Sequence, residues 1–361
     1  MNNLSQRLHL DMPLLTGLLL LSAISLVVLY SAGGQDVQLL LRQLLRFGLA
    51  FSLMFVLAQV PPHRLQQVAP WLFGVGLLLL IAVYLFGVEA KGAQRWLNLG
   101  VIRFQPSEIM KLAVPLMVAW YLGARPLPPN LLRATVTLTL IAVPAAFIAK
   151  QPDMGTALLV ASAGLFVLLL SGLRWRVIGV AAVLVGAALP LLWRMMHDYQ
   201  RQRVLTFLDP EQDPLGAGYH ILQSTIAIGS GGVFGKGWLN GTQSYLDFIP
   251  ERTTDFVFAV YGEEFGLIGA LLLLAVFLFV IVRGLIIAYD AQTNFNRLLA
   301  GGLTLSFFTY ILVNIGMVTG LMPVVGVPLP LISYGGTSLV TLMASFGMLM
   351  SIHTHRKREP S

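Results

Sequence analysis

Residues 267–282 read "LIGALLLLAVFLFVIV", sixteen positions without a charge. A helix rises 1.5 Å per residue, and about 20 apolar residues cross the roughly 30 Å of hydrocarbon in a bilayer. Extended upstream to Phe256, this run reaches that length and predicts a membrane-spanning helix over 256–282. Just before it, residues 245–266 read "YLDFIPERTTDFVFAVYGEEFG" and carry Asp247, Glu251, Asp255, Glu263 and Glu264, five of the chain's sixteen acidic side chains. Carboxylates crowded at the mouth of the most apolar segment call for an explanation.

The rest of the chain agrees with that span. Hydrophobic residues make up 57% of 361 and charged ones 11%, against about 25% charged in soluble domains. Mean hydropathy is +0.79. Apolar runs recur at 13–30, 39–59, 71–86, 107–122, 131–148, 155–170, 175–195, 256–282, 298–321 and 339–352. The expected architecture is an all-α integral membrane protein with about ten transmembrane helices. It forms one polytopic domain, 1–361, with one large extracytoplasmic loop at about 196–254. The first run is expected to be a retained anchor, because it is long and Asp11 interrupts its basic flank.

Charge placement sets the orientation. Eleven Lys and Arg fall on the side of the N-terminus and six on the opposite short loops, which places both termini in the cytoplasm by the positive-inside rule. The net charge of +7 is then mostly topological marking. No basic soluble domain exists to bind nucleic acid. The absence of cysteine excludes disulfides and thiolate metal sites.

Several stretches carry chemistry. "AIGSGGVFGKGW" has Ser230 where a phosphate loop needs its first glycine and Gly237 after Lys236, so it reads as a flexible turn. The histidines lack metal-ligand spacing, and His353 and His355 read as part of a cytoplasmic tail. Glu108 and Lys111 stand one turn apart just inside the fourth span. Ionisable groups at that depth pair or face a polar cavity, so they are either a structural lock or a substrate-facing pair. Asp153 precedes an apolar helix, as a cap or a site residue. Lys91, Arg95, Trp96 and Arg103 in "KGAQRWLNLGVIRF" suit a lipid headgroup, a diphosphate or a sugar face, or equally an interfacial anchor. Asp255 begins the eighth span, as a helix cap or a functional carboxylate; Glu263 lies about 12 Å deeper, so the two do not share one substrate atom.

Five stretches in order resemble one known family: "KGAQRWLNLGVIRFQPSEIMKLAVP", "QPDMGTALLV", "DPLGAGYHILQSTIAIGSGGVFGKGWLNGTQS", "GTQSYLDFIPERTTDFVFAVYGEEFGLIG" and "PVVGVPLPLISYGGTS". They are similar to the SEDS family (shape, elongation, division and sporulation), and "KGAQRW", "GTQS" and "SIHTHRK" favour its RodA branch. The resemblance covers nearly the whole chain. It implies a peptidoglycan glycosyltransferase of the inner membrane that polymerises lipid II on the extracytoplasmic side with inversion, giving β-1,4 linkages. It further implies that Asp255 is the essential carboxylate and that Glu108 and Lys111 support activity. Implied partners are a class B penicillin-binding protein, the elongation proteins MreC and MreD, and membrane lipids.

Chemistry fits that expectation. Diphosphate leaves readily when cations stabilise it, so one carboxylate suffices as base toward an acceptor hydroxyl. Lys91, Arg95, Arg103, Lys150, Arg201, Arg203, Lys236 and Arg252 are the candidate cations, with Glu251 and Asp153 as further acids and a divalent ion, magnesium or manganese, as an optional helper. The alternative from another class is a lipid II flippase, in which essential charges line a transmembrane path. A non-catalytic scaffold leaves Glu108, Lys111 and Asp255 without a task.

Overall fold

A computed structural model describes residues 8–90, 93–98, 103–196, 198–209, 216–245, 248–249 and 251–356. The helices are α1 (Met12–Ala32), α2 (Val37–Gln59), α3 (Pro62–Phe86), α4 (Pro106–Gly123), α5 (Leu131–Lys150), α6 (Met154–Leu170) and α7 (Trp175–Met195), followed by α8 (Asp198–Leu208), α9 (Ala217–Gly231), α10 (Thr242–Tyr245), α11 (Val257–Tyr289), α12 (Asn294–Val318) and α13 (Thr337–Thr354). Their starts follow local chemistry. Asp11, Asp36, Asn130, Asp153 and Thr293 each accept a bond from a backbone N–H of the helix they precede, which satisfies donors that no intrahelical carbonyl reaches. Proline in the first turn of α1, α3 and α4 removes one such donor outright.

Each of the ten expected apolar runs falls mainly on a helix, with 319–321 of the ninth run lying beyond the end of α12. Seven of these helices are long and apolar enough to cross a membrane, namely α1, α2, α3, α5, α11, α12 and α13, and α6 is a shorter apolar helix. Their outer faces suit lipid: along α2, Leu41, Leu45 and Leu49 are exposed, while Phe47, Ala50 and Met54 are buried. The central pillar is α12, with 72% of its apolar window enclosed against 22% for α2. It packs on α11, α6 and α4, while α13 packs on α2. Phe277, Phe307 and Phe346 interlock edge to face at 5.9 and 5.0 Å and join α11, α12 and α13.

Three features depart from the expectation of plain helices joined by loops. The α3–α4 connection contains a small antiparallel sheet, β1 (Val88–Ala90), β2 (Ala93–Asn98) and β3 (Arg103–Phe104). The segment 196–254, expected as a loop, contains α8, α9 and α10. Helix α11 is kinked at Gly266, whose φ of 64° and ψ of −162° suit only glycine.

The glycine-rich stretch after α9 fills that kink. Leu267 and Ile268 donate to Gly232 O and Val233 O at 3.0 and 3.1 Å, and Lys236 N and Gly237 N donate to Glu263 O and Glu264 O, both at 3.0 Å. A Cβ at Gly231 or Gly235 would lie 2.2 or 2.1 Å from the α11 carbonyls of Gly262 or Glu264. "AIGSGGVFGKGW" is therefore built for close backbone approach, in place of the flexible turn expected from its glycines.

Candidate active site

Asp255 lies two residues before α11. The helix takes Phe256 as its N-cap and has no side-chain capping bond, so the capping role open to Asp255 in the sequence is not the one it has. Its side chain lines a cavity of about 340 Å³ together with Arg95, Trp96, Glu108, Lys111, Asp153 and Glu251. Seven residues singled out in the sequence, spread over 160 positions from Arg95 to Asp255, thus meet in one cavity. The unexpected sheet contributes, since β2 carries Arg95 and Trp96.

The charges there are arranged in pairs. Lys111 Nζ donates to Glu108 Oε1 at 2.6 Å, and each side chain is 9% exposed. The i, i+3 spacing on α4 sets this geometry, and Lys111 also sits 5.4 Å from the ring centre of Tyr310 on α12. Glu108 Oε2 makes no hydrogen bond among the described residues. Asp153 caps α6 through Thr156 N at 3.2 Å and accepts from Gln105 Nε2 at 3.2 Å. Arg95 Nε is 3.7 Å from the same carboxylate, and its Nη2 donates to Pro152 O at 2.5 Å. Cap and cavity residue are therefore both true of Asp153.

Other candidates are placed elsewhere. Lys236 Nζ donates at 2.7 Å to Glu263 Oε1, which also accepts from Thr242 Oγ1 and Gln243 N. Glu264 accepts from Ser31 Oγ. Both glutamates are almost fully enclosed, at 0% and 1% exposure, so only part of the acidic stretch lines the Asp255 cavity. Arg252 lines two neighbouring cavities, one with Ser31, Gln35 and Glu264 and the other with Glu251. Arg201, on α8, donates to Trp193 O and Arg194 O at 3.0 and 2.7 Å, and Arg203 is exposed on the same helix. Lys150 is the exposed last residue of α5, and Arg103 opens β3. Lys91 and Asp247 lie outside the described residues.

Gln105, Tyr334 and Arg46 join the site without having been candidates in the sequence. Tyr334 lines the cavity, and Arg46 of α2 lies 4.1 Å from its ring centre, a cation–π contact. An arginine nine positions into an apolar helix was the signal available for it. On the opposite side, His353 belongs to α13, in place of the tail expected, and lies 3.3 Å from Asp11, which also pairs with Arg283. Among the described residues no group of three or more His, Asp or Glu side chains converges as a metal cage.

This is a predominantly helical integral membrane protein with a charged cavity of the volume of a small-molecule site. Residues 6–358 match the model of the cell cycle protein family of FtsW, RodA and SpoVE. The chain belongs to that family. It is 58% identical over 352 residues to the peptidoglycan glycosyltransferase MrdB of Escherichia coli K12, covering 97% of this chain and 95% of the relative. It is 36% identical to the peptidoglycan glycosyltransferase MrdB of Helicobacter pylori, covering 97% and 91%. A chain of a solved peptidoglycan synthase complex superposes with a TM-score of 0.84 at 35% identity, covering 97% and 99%. The Rod shape determining protein RodA of Thermus thermophilus superposes with a TM-score of 0.73 at 31% identity, covering 97% and 98%.

Proposed function

We propose that this chain is a peptidoglycan glycosyltransferase that polymerises lipid II, with Asp255 as general base. The observation that carries the reading is the convergence of Asp255, the Glu108–Lys111 pair and the Arg95–Asp153 pair on one cavity. The acceptor sugar's hydroxyl oxygen attacks the anomeric carbon of the donor, and the bond from that carbon to the diphosphate oxygen breaks. The hydroxyl proton passes to the Asp255 carboxylate, and undecaprenyl diphosphate leaves with the bonding electrons. Attack from the face opposite the leaving group turns an α-linked donor into a β-1,4 product. Lys111 and Arg95 supply positive charge toward the departing diphosphate, where preorganised charge is most effective. Lys236, which pairs with Glu263 away from the residues lining this cavity, is left out of that role.

The cavity is placed on the extracytoplasmic side and both termini in the cytoplasm, supported by the bias of basic residues. A class B penicillin-binding protein is the proposed partner, supported by the likeness to a chain of a synthase complex that couples polymerization and crosslinking; MreC and MreD complete the assembly. The test is purified protein in detergent with labelled lipid II, read as glycan strands. Strand formation supports the reading. Transfer of lipid II across vesicle membranes without strand formation would instead establish a flippase.

A further inference from the structure

The backbone around Asp255 is gripped one carbonyl at a time. Tyr334 N donates to Thr253 O at 2.8 Å, Ser333 Oγ donates to Thr254 O, and Asn314 Nδ2 donates to Asp255 O at 2.8 Å. The second N–H of that amide donates to Val327 O at 2.7 Å. Two acceptors around Nδ2 fix which way the amide points. Ser333 Oγ in turn accepts from Leu329 N at 2.8 Å. Asn314 is fully enclosed on α12, so the most buried helix of the bundle and the loop over 327–334 are tied together through residues 253–255.

The amides of this turn face the other way. Thr254 N and Phe256 N both donate to Glu251 O, at 3.0 and 3.3 Å, and Glu251 takes a φ of 51° to close the turn. Asp255 lies outside α11 and lacks that helix's internal bonds. The turn's backbone bonds and these side chains together hold the chain at Asp255, ahead of the helix. The same loop runs on into Tyr334, Gly335 and Gly336, which wall the cavity. Gly326, at φ 72°, brings the opposite edge to within 3.5 Å of Asp255 Oδ2, measured from where its Cβ would stand.

We propose that Asn314 and Ser333 are positioning residues for Asp255, which fix its backbone and so hold its carboxylate where the acceptor hydroxyl reacts. The proposal rests on the reading of Asp255 as the base. Neither residue touches substrate; each acts through the carbonyl it holds. A reacting group misplaced by about 1 Å costs on the order of a hundredfold in rate, so losing either donor acts on kcat and leaves KM for lipid II nearly unchanged.

The experiment compares purified wild type, Asp255→Asn, Asn314→Ala, Ser333→Ala and Ser333→Thr, measuring kcat and KM for lipid II polymerisation beside thermal melting. Asn314→Ala and Ser333→Ala are expected to lower kcat by about tenfold or more with KM within about twofold, and Ser333→Thr, which keeps the hydroxyl, to recover most of it. Because Ser333→Ala removes only an oxygen, it keeps the test open if Asn314→Ala fails to fold. Wild-type kcat in folded Ser333→Ala would overturn the proposal. So would a kcat that falls only in proportion to the folded fraction, or equal loss in Ser333→Ala and Ser333→Thr. If Asp255→Asn itself keeps wild-type turnover, the reading of Asp255 fails instead, and the two failures are told apart.

Discussion

The stretch 245–266 supplies two sets of acids with opposite fates. Asp255 and Glu251 line the cavity that holds both charged pairs, whereas Glu263 and Glu264 are almost fully enclosed, Glu263 against the segment that follows α9 and Glu264 at the floor of a separate cavity beside Ser31. Glu263 Oε1 takes three donors, from Lys236, Thr242 and Gln243, and the Gly266 kink next to it is filled by backbone from 232–237. An acid's position near a membrane-spanning run does not decide its task; what decides it is whether the neighbouring chain closes over it. The closed pair helps fasten the segment 231–245 to α11, and the open pair faces a cavity that carries both charge signs.

The largest effect should come from the open set. Asp255→Asn is expected to cut lipid II polymerisation by about 10²–10⁴-fold, the usual contribution of a general base. Since Asp255 does not cap α11, the melting curve should hardly move and lipid II binding should persist. Turnover like wild type would break the division into open and closed acids and turn attention to Glu251. Loss of both binding and turnover would move Asp255 from the chemical step to substrate recognition.

Glu108 and Lys111 belong to the open cavity and yet are paired. Removing one partner of a buried pair leaves the other charge uncompensated, at a cost of about 3–5 kcal/mol. Glu108→Ala and Lys111→Ala should each reduce both accumulation in membranes and polymerisation. The double variant Glu108→Gln with Lys111→Met should recover much of the stability but not the activity. Wild-type polymerisation by that double variant would make the pair a structural lock alone.

Much of this was legible before the fold was known. Seven of the expected apolar runs fall on helices long and apolar enough to cross a membrane, because hydrocarbon thickness imposes one length scale on a crossing. The Glu108–Lys111 pair was legible because i, i+3 neighbours on a helix meet whatever surrounds them. Lys236 was not. A lysine in a glycine-rich loop looks free for an anion, and only tertiary packing brings Glu263 to it from 27 residues away. The sheet around Arg95 was missed for a similar reason, since its strands are short and pair only locally. Asn314 was invisible because an asparagine in an apolar helix does not say which carbonyl it will meet.

The closed set should give a smaller, different signature. Lys236→Met leaves the enclosed Glu263 with, among the described residues, the Thr242 and Gln243 donors. A lost bond to a buried polar group costs about 1–3 kcal/mol, and Lys236 is 27% exposed, which argues for the lower end. The expected result is a lower melting temperature and faster proteolysis within 232–245, with turnover per folded molecule within a few-fold of wild type. A specific fall in diphosphate-product release at unchanged stability would return Lys236 to the substrate and dissolve the contrast.

Asp153 is the case that sharpens the comparison most, because it has a foot in each set. It lines the open cavity and is only 6% exposed, and it also caps α6 through Thr156 N. Asparagine caps helices about as well as aspartate, whereas alanine costs about 0.5–2 kcal/mol. The Arg95 contact is long, at 3.7 Å, with the arginine side chain 32% exposed, and pairs of that kind contribute about 0–1 kcal/mol. Asp153→Asn should therefore melt within a degree or two of wild type, the smallest stability effect expected here, while Asp153→Ala melts clearly lower. Polymerisation by Asp153→Asn should fall less than that by Asp255→Asn, since the carboxylate orients Arg95 and Gln105 without taking the proton. Equal loss in the two asparagine variants, with both melting curves unmoved, would place Asp153 on the substrate beside Asp255 and make its cap incidental.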